Sequence, residues 1–167
     1  MRAERSSSYP SYGYVPRHAE ERTSPAYIPK LLNQSSAACL GISGRPGHCL
    51  THFTPQELSA QIRTVAFKKL RDRDAACRQI VAAASKRRTI ALPDGTEGSK
   101  WEWKFLITGR HVCASCFAQV YGLGRKSLQR IKREIDFQAA GGNLGTMRQH
   151  GRTGFEYPSD RAIFIQA

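Results

Sequence analysis

The chain has 167 residues, with 26 Lys and Arg against 13 Asp and Glu, and its formal net charge is +13. The length suits one domain with tails, and no apolar run approaches the roughly 20 residues of a membrane span. The N-terminus lacks the apolar stretch of a secretory signal, so the five cysteines are expected to be reduced thiols of the cytosol or nucleus. A positive surplus of this size favours nucleic acid as the partner over a small-molecule substrate or a membrane.

Residues 1–44 are rich in Ser, Pro, Tyr, Gly and Arg and show no apolar periodicity. Such a segment has little surface to bury against the entropy of ordering. It is therefore predicted to be a disordered arm, followed by a helical domain over residues 45–137.

The first predicted helix lies in "HFTPQELSAQIRTVAFKKLRD". Thr54 and Glu57 have the spacing of a capping box, and Pro55 suits the first helical position. Phe53 and Leu58 can pack together across this cap. One apolar stripe is predicted to continue along the helix through Leu58, Ile62, Val65, Ala66 and Leu70.

The second predicted helix covers "DAACRQIVAAASKRR". Asp74 is placed to cap its start, and the basic residues of "SKRR" would form its last turn, which the helix dipole favours. Its inward-facing residues are predicted to be Cys77, Ile80, Val81 and Ala84.

A β-hairpin is predicted over about residues 89–107, because β-branched and aromatic residues flank the turn sequence "PDGTEG". By alternation, Trp101, Trp103 and Phe105 would share one face of the second strand. The whole chain is thus predicted to be mostly α-helical with a small β-hairpin.

Two short helices meeting at a turn are predicted over about residues 112–135, in "VCASCFAQVYGLGRKSLQRIKREI". Gly122 can adopt the left-handed conformation that ends the first helix, and Leu123 returns to the core. Ala118 would permit close approach of the helices. The second helix would be held by Leu128, Ile131 and Ile135, an arrangement typical of a helix-turn-helix.

The outward face of that second helix is predicted to bind double-stranded DNA. Arg and Lys can reach guanine edges in the major groove, and Gln can pair with adenine. The residues nearest the helix start would touch bases, and the later cations would touch phosphates. The predicted DNA-binding residues are Arg125, Lys126, Gln129, Arg130, Lys132 and Arg133.

The cysteines allow two interpretations. Cys113 and Cys116 have the C-x-x-C spacing of zinc ligands, and Cys49 with His52 offers a second pair, with His48 and His111 in reserve. The alternative, which the sequence favours, is that Cys113 and Cys116 are small buried residues at a helix start. No cofactor is therefore expected, and zinc remains open.

Residues 138–167 are Gly-rich and partly basic, and they are predicted to form a mobile connector that ends in a truncated segment, "DRAIFIQA". Two basic clusters, "SKRR" and "RIKR", are compatible with nuclear import.

Taken in order, "HCLTHFTPQEL", "HVCASCFAQVYGLGRKSLQRIK" and "HGRTG" resemble the N-terminal DNA-binding region of transposon-derived proteins of invertebrates and protists. These proteins are associated with integrase-like transposases, and the resemblance covers roughly residues 45–155. It implies framework roles for Cys113, Phe117, Gly122 and Leu123, and a DNA-facing helix that carries Arg125, Lys126 and Gln129.

Longer members of that group continue into an integrase-like nuclease domain. Such a nuclease needs an acidic triad to hold two Mg²⁺ ions, and no triad is recognisable among the 13 Asp and Glu. The expected function is therefore sequence-preferring DNA binding in the nucleus, without catalysis. The alternatives are an RNA-binding basic domain and a zinc-stabilised interaction module.

Overall fold

The computed structural model describes residues 18–42 and 48–144. It is mostly α-helical with a small amount of antiparallel β structure, as the sequence predicts. The chain divides into two compact units, Met1–Arg125 and Lys126–Ala167. None of the helices within the described ranges combines the length and apolarity that crossing a bilayer requires.

The N-terminal segment contains two helices, α1 (Ala19–Thr23) and α2 (Tyr27–Ala38). The predicted disordered arm is therefore wrong for residues 18–42, and residues 1–17 lie outside the described part. Tyr27, Ile28 and Leu31 are all at least 90 % buried. These three residues lie one and four positions apart, which is helical spacing. Their burial outweighs the Pro- and Ser-rich composition on which the prediction of disorder rested.

A short 3₁₀ helix (Cys49–His52) leads into α3 (Pro55–Ala66). The predicted capping box is confirmed: the Glu57 backbone N–H donates to Thr54 Oγ1 at 3.2 Å, and the Thr54 backbone N–H donates to Glu57 Oε2 at 2.8 Å. The predicted stripe is buried from Leu58 to Ala66. It ends there, because Leu70 is 59 % exposed and belongs to the next helix.

Helix α4 (Leu70–Ala84) starts four residues before the predicted cap. Asp74 is consequently not a cap but a buried helical residue, and Arg73 pairs with it at 3.1 Å. The basic residues of "SKRR" do not form the last helical turn either, since Lys86 begins a strand. Ser85 separates the two elements, and its hydroxyl accepts a hydrogen bond from the Lys104 backbone N–H at 3.0 Å.

The first hairpin pairs β1 (Lys86–Ala91) with β2 (Glu97–Glu102) in antiparallel register, with Thr89 opposite Ser99. A second hairpin, which the sequence analysis missed, pairs β3 (Phe105–Ile107) with β4 (Arg110–Val112). Thr108 and Gly109 form its turn, and both have positive φ angles, 48° and 77°. Two positive central residues are typical of the tight turns that join hairpin strands.

The three aromatic residues predicted to share one strand face do not lie on one strand: Trp101 is in β2, Trp103 follows that strand, and Phe105 begins β3. Trp101 and Trp103 stack with ring centroids 4.7 Å apart, and both are half-buried. Phe105 is not on their face, because the sheet is interrupted after Glu102. Its ring is buried instead, 5.3 Å from that of Phe117.

Helix α5 (Ala114–Tyr121) follows β4 directly and is capped by Cys113. Gly122 ends it in the left-handed conformation predicted, with φ 68°, and the Leu123 backbone N–H donates back to the Ala118 carbonyl at 2.7 Å. This hydrogen bond is the signature of a Schellman helix end.

Helix α6 (Arg125–Ala139) is separated from α5 by three residues and runs four residues beyond the predicted limit. It also closes in a Schellman motif, because the Gly142 backbone N–H donates to the Phe137 carbonyl at 2.9 Å. The predicted connector over residues 138–167 is thus helical at its start, and residues 145–167 lie outside the described part.

Candidate metal centre and basic helix face

Four cysteines that are far apart in the sequence gather at one point of the first unit. The Sγ atoms of Cys39, Cys49, Cys113 and Cys116 all lie within 4.8 Å of one another. Cys39 Sγ is 3.4 Å from Cys49 Sγ and 3.8 Å from Cys113 Sγ. A tetrahedral zinc ion with Zn–S bonds of about 2.3 Å needs sulfur atoms about 3.8 Å apart. The size of the cluster therefore suits a zinc ion.

Three pieces of local structure hold the four thiols. Cys39 immediately follows α2, and Cys49 is the first residue of the 3₁₀ helix. Cys113 caps α5, and Cys116 lies in the first turn of that helix. Because the cap and the third helical residue approach each other, the C-x-x-C spacing brings the last two sulfur atoms together. The β3–β4 hairpin leads directly into Cys113.

Backbone N–H groups point at three of the sulfur atoms. The Cys49 N–H donates to Cys39 Sγ at 3.5 Å, and the Cys113 N–H donates to Cys49 Sγ at 3.4 Å. The Cys116 N–H donates to Cys113 Sγ at 3.4 Å. Hydrogen bonds of this kind favour the ionised form of a ligand and orient it. The three N–H donors therefore hold the sulfur atoms of Cys39, Cys49 and Cys113 in fixed orientations, as a set of metal ligands requires.

Three of the cluster's thiols have shifted pKa values. Hydrogen bonding from Cys116 lowers the pKa of Cys113 to about 4, and the same interaction raises the pKa of Cys116. Burial raises the pKa of Cys49 to about 12. Without a metal ion, Cys113 therefore favours the thiolate, and Cys49 and Cys116 favour the neutral thiol. A bound divalent cation would reverse this preference, because metal binding displaces protons from thiols.

The predicted histidine ligands are not in this cluster. Among the residues that the structure describes, the metal-ligating group holds four cysteines and no histidine. His48, His52 and His111 are exposed. Cys113 and Cys116 are buried, as the favoured prediction held. Their thiols nevertheless also lie close to those of Cys39 and Cys49. Cys39 was missed because it lies in the segment predicted to be disordered.

Helix α6 separates its apolar side chains from its cations. Leu128 and Ile131 are 1 % and 0 % exposed, as the helical pattern predicts. Most of the predicted DNA-binding residues are exposed, namely Arg125, Lys126, Gln129, Arg130 and Arg133. With about 3.6 residues per turn, these five side chains fall within an arc of about 140°. They are called the exposed face of α6 below.

Lys132 differs from the other five predicted residues. It is half-buried, and burial lowers the pKa of its amine. Its helical position is at the edge of the exposed face, next to the buried stripe of Leu128. Lys132 is consequently less available to a partner than the next residue, Arg133, which is exposed.

The acidic residues of α6 follow its cations. Glu134 is buried and Asp136 is half-buried, and both lie in the second half of the helix. Positive charge is therefore concentrated in the first nine residues of α6, which include all five residues of its exposed face.

Comparison with family models, with curated proteins and with solved structures found no match to this chain.

Proposed function

We propose that this chain is a zinc-stabilised module that binds double-stranded DNA through α6, in the manner of a helix-turn-helix and without catalysis. The observation that carries the proposal is the exposed face of α6, where four cations and one glutamine lie together opposite a buried apolar stripe. A helix of this diameter fits the major groove of B-form DNA. The transposon origin and the nuclear location remain parts of the same proposal.

The order of residues along α6 supports a division of labour. In helix-turn-helix proteins, residues near the start of the recognition helix contact base edges. Arg125, Lys126 and Gln129 occupy that part of α6. Arg130 and Arg133 lie further along and would contact phosphates, which adds affinity but reads no sequence.

Base reading can be tested on duplex DNA selected by the protein from a random pool. Fluorescence anisotropy would compare the selected duplex with a scrambled duplex of equal composition. Gln129→Ala should weaken binding to the selected duplex by about 1–3 kcal/mol and leave the scrambled duplex nearly unchanged, because a bidentate base contact is lost. The matched control is Gln138→Ala. Gln138 is also exposed, but it lies at the end of α6 and is not one of the five residues that make up the exposed face of the helix.

Phosphate contact has a different signature. Arg133→Ala should weaken binding to both duplexes equally and reduce the slope of log K against log salt by about 0.9. Arg63→Ala removes the same charge from an exposed position of α3 and should leave the slope unchanged. Equal losses on selected and scrambled DNA for Gln129→Ala and Arg133→Ala alike would exclude base reading by α6.

Zinc is the proposed occupant of the cysteine cluster. Four thiolates in a tetrahedral arrangement are one of the usual kinds of structural zinc site, and the sulfur separations and N–H donors described above support this choice. The metal would crosslink α2, the 3₁₀ helix and α5, and would leave no open position for a substrate. Its role would be to stabilise the fold.

Metal analysis of the reduced, full-length protein tests the zinc proposal. The expected result is one zinc per chain, falling well below one in Cys39→Ser and Cys116→Ser. Cys77→Ser is the matched control, because Cys77 is equally buried but lies outside the cluster. Replacement of the zinc by cobalt should give the absorption of a tetrahedral thiolate complex. Purified protein without stoichiometric metal would remove this part of the proposal.

RNA binding is the second candidate, and the stacked pair of Trp101 and Trp103 is the observation that favours it. Half-exposed aromatic rings can stack on unpaired bases. Competition between duplex DNA and single-stranded RNA of the same sequence separates the two functions. Preferred binding of RNA, lost in Trp101→Ala and unaffected by Gln129→Ala, would favour the second candidate over the first.

A further inference from the structure

The β1–β2 hairpin is exposed on both of its faces. All six residues of β1 are exposed, and Gly98 is the one buried residue of β2. A hairpin that contributes so little to a core has side chains that are available to a partner. Basic residues are frequent on it, although packing does not require them.

The antiparallel register assigns these basic residues to one face. Residues directly opposite each other share a face, and so do residues two positions apart. Lys86 and Arg88 are two positions apart in β1, and Lys100 is directly opposite Arg88 in β2. These three exposed residues, Lys86, Arg88 and Lys100, are called the cationic face of the hairpin.

The pairing of Arg88 with Lys100 is unfavourable for the isolated protein. Directly opposite residues have Cβ atoms about 4.5–5.5 Å apart, and like charges at that distance destabilise a sheet. The carboxylate on this face is Glu102, whose oxygens lie 2.6 Å from Arg88 and 3.9 Å from Lys104. Glu102 also stands opposite Lys86 in the register. Glu102 thus pairs with Arg88 and Lys104, and an external polyanion would relieve the repulsion between Arg88 and Lys100.

We propose that the cationic face of the hairpin binds the phosphate backbone of double-stranded DNA. This inference rests on the proposed function, DNA binding, and adds a contact that reads no sequence. The contact is electrostatic and independent of sequence, because Lys and Arg meet phosphates there and no groove-reading amide accompanies them. Its contribution is affinity and its loss is visible as a change in salt dependence.

The test is a salt titration of DNA binding by the full chain. The triple substitution Lys86→Gln, Arg88→Gln and Lys100→Gln should lower the salt slope by about 2–3, at about 0.9 per phosphate contact. The loss of affinity should be equal on selected and scrambled duplexes. The charge-conserving triple, Lys86→Arg, Arg88→Lys and Lys100→Arg, should keep the slope of the unmodified protein.

A second triple controls for total charge. Lys68→Gln, Lys69→Gln and Arg71→Gln remove two lysines and one arginine from exposed positions around the start of α4. This control should leave the slope nearly unchanged. If both glutamine triples lower the slope equally, the effect is one of net charge, and the hairpin contact is refuted.

The outcomes separate this inference from the proposed function. Failure of the unmodified protein to bind duplex DNA would refute both. DNA binding that depends on Gln129 but keeps its full salt slope in the hairpin triple would refute the hairpin contact alone. Circular dichroism would report whether each variant folds. If the triple misfolds, Lys100→Gln alone decides: a slope lower by about 0.9 supports the contact, and an unchanged slope refutes it.

Discussion

Gly122 meets two requirements that no other residue meets easily. Its φ of 68° lies in the left-handed region, which costs a residue with a side chain about 1–2 kcal/mol. A Cβ at this position would lie 2.5 Å from the guanidinium carbon of Arg22, which is itself 95 % buried. The Gly122 carbonyl also accepts a hydrogen bond from Arg73 at 2.7 Å. One glycine thus joins the end of α5 to both α1 and α4.

Gly122→Ala should therefore lower the free energy of unfolding by at least about 1 kcal/mol, through backbone strain and displacement of Arg22. Urea denaturation followed by circular dichroism measures the change. Gly124→Ala is the control, because a Cβ there meets no atom within 4 Å. An unchanged midpoint for Gly122→Ala would mean that the turn relaxes freely, and that Arg22 does not hold it.

At the scale of the element, the β1–β2 hairpin buries few side chains but carries several exposed cations. Its cross-strand pair of Arg88 and Lys100 works against its own stability. Elements used for binding often carry features that folding alone would not select. Removal of one of the two cations should then make the hairpin more stable but weaken its binding to DNA.

Lys100→Thr tests this trade-off without any ligand. Removal of the like charge opposite Arg88, together with a β-branched residue in the strand, should raise the free energy of unfolding by about 0.2–1 kcal/mol. Thermal unfolding without DNA would measure the stability of the variant, and thermal unfolding with duplex DNA would measure how much DNA stabilises it. The variant should unfold at a higher temperature alone and gain less from DNA than the unmodified protein does. A lower temperature of unfolding without DNA would contradict the proposed repulsion.

At the scale of the whole molecule, the cysteine cluster joins parts of the first unit that are distant in sequence. Cys39 and Cys113 are 74 positions apart, and Cys49 and Cys113 are 64 apart. A crosslink over such distances restricts the unfolded chain strongly. A structural zinc ion adds its binding free energy to folding, which in zinc-finger peptides amounts to about 10–16 kcal/mol.

If zinc binds as proposed, its removal should consequently unfold much of the first unit. A strong chelator added to reduced protein should abolish the cooperative thermal transition, and added zinc should restore it. Cys77→Ser should behave like the unmodified protein in both steps, since its thiol is outside the cluster. A transition that survives chelation would show that apolar packing alone maintains the fold.

The features that could be predicted from the sequence are local ones. The capping box of Thr54 and Glu57 involves residues three positions apart, and the turn at Gly122 depends on a single glycine after an apolar helix. The amphipathic pattern of α6 was likewise contained in 15 consecutive residues. In each case the physical cause and the sequence signal lie in the same short segment.

The features that were missed depend on distant partners. Cys39 becomes a candidate ligand only when α2 is folded against the rest of the first unit, and α2 was hidden by a disorder-like composition. The β3–β4 hairpin was missed because Thr108 has a positive φ. Threonine rarely adopts such a conformation, so the residue type does not indicate a tight turn at this position. The start of α4 was misplaced because Asp74 resembles a cap but is buried with Arg73.

Because the cysteines of the cluster are far apart in the sequence, they also leave the ribosome at different times during synthesis. Cys49 leaves the ribosome 64 residues ahead of Cys113, a delay of about 3–13 s at about 5–20 residues per second. For those seconds the nascent chain would carry half of the proposed zinc site, exposed to oxidants and to competing metal ions. The proposed ion could be enclosed only after the third and fourth thiols emerge, so newly made chains would then depend on a well-buffered cellular zinc supply.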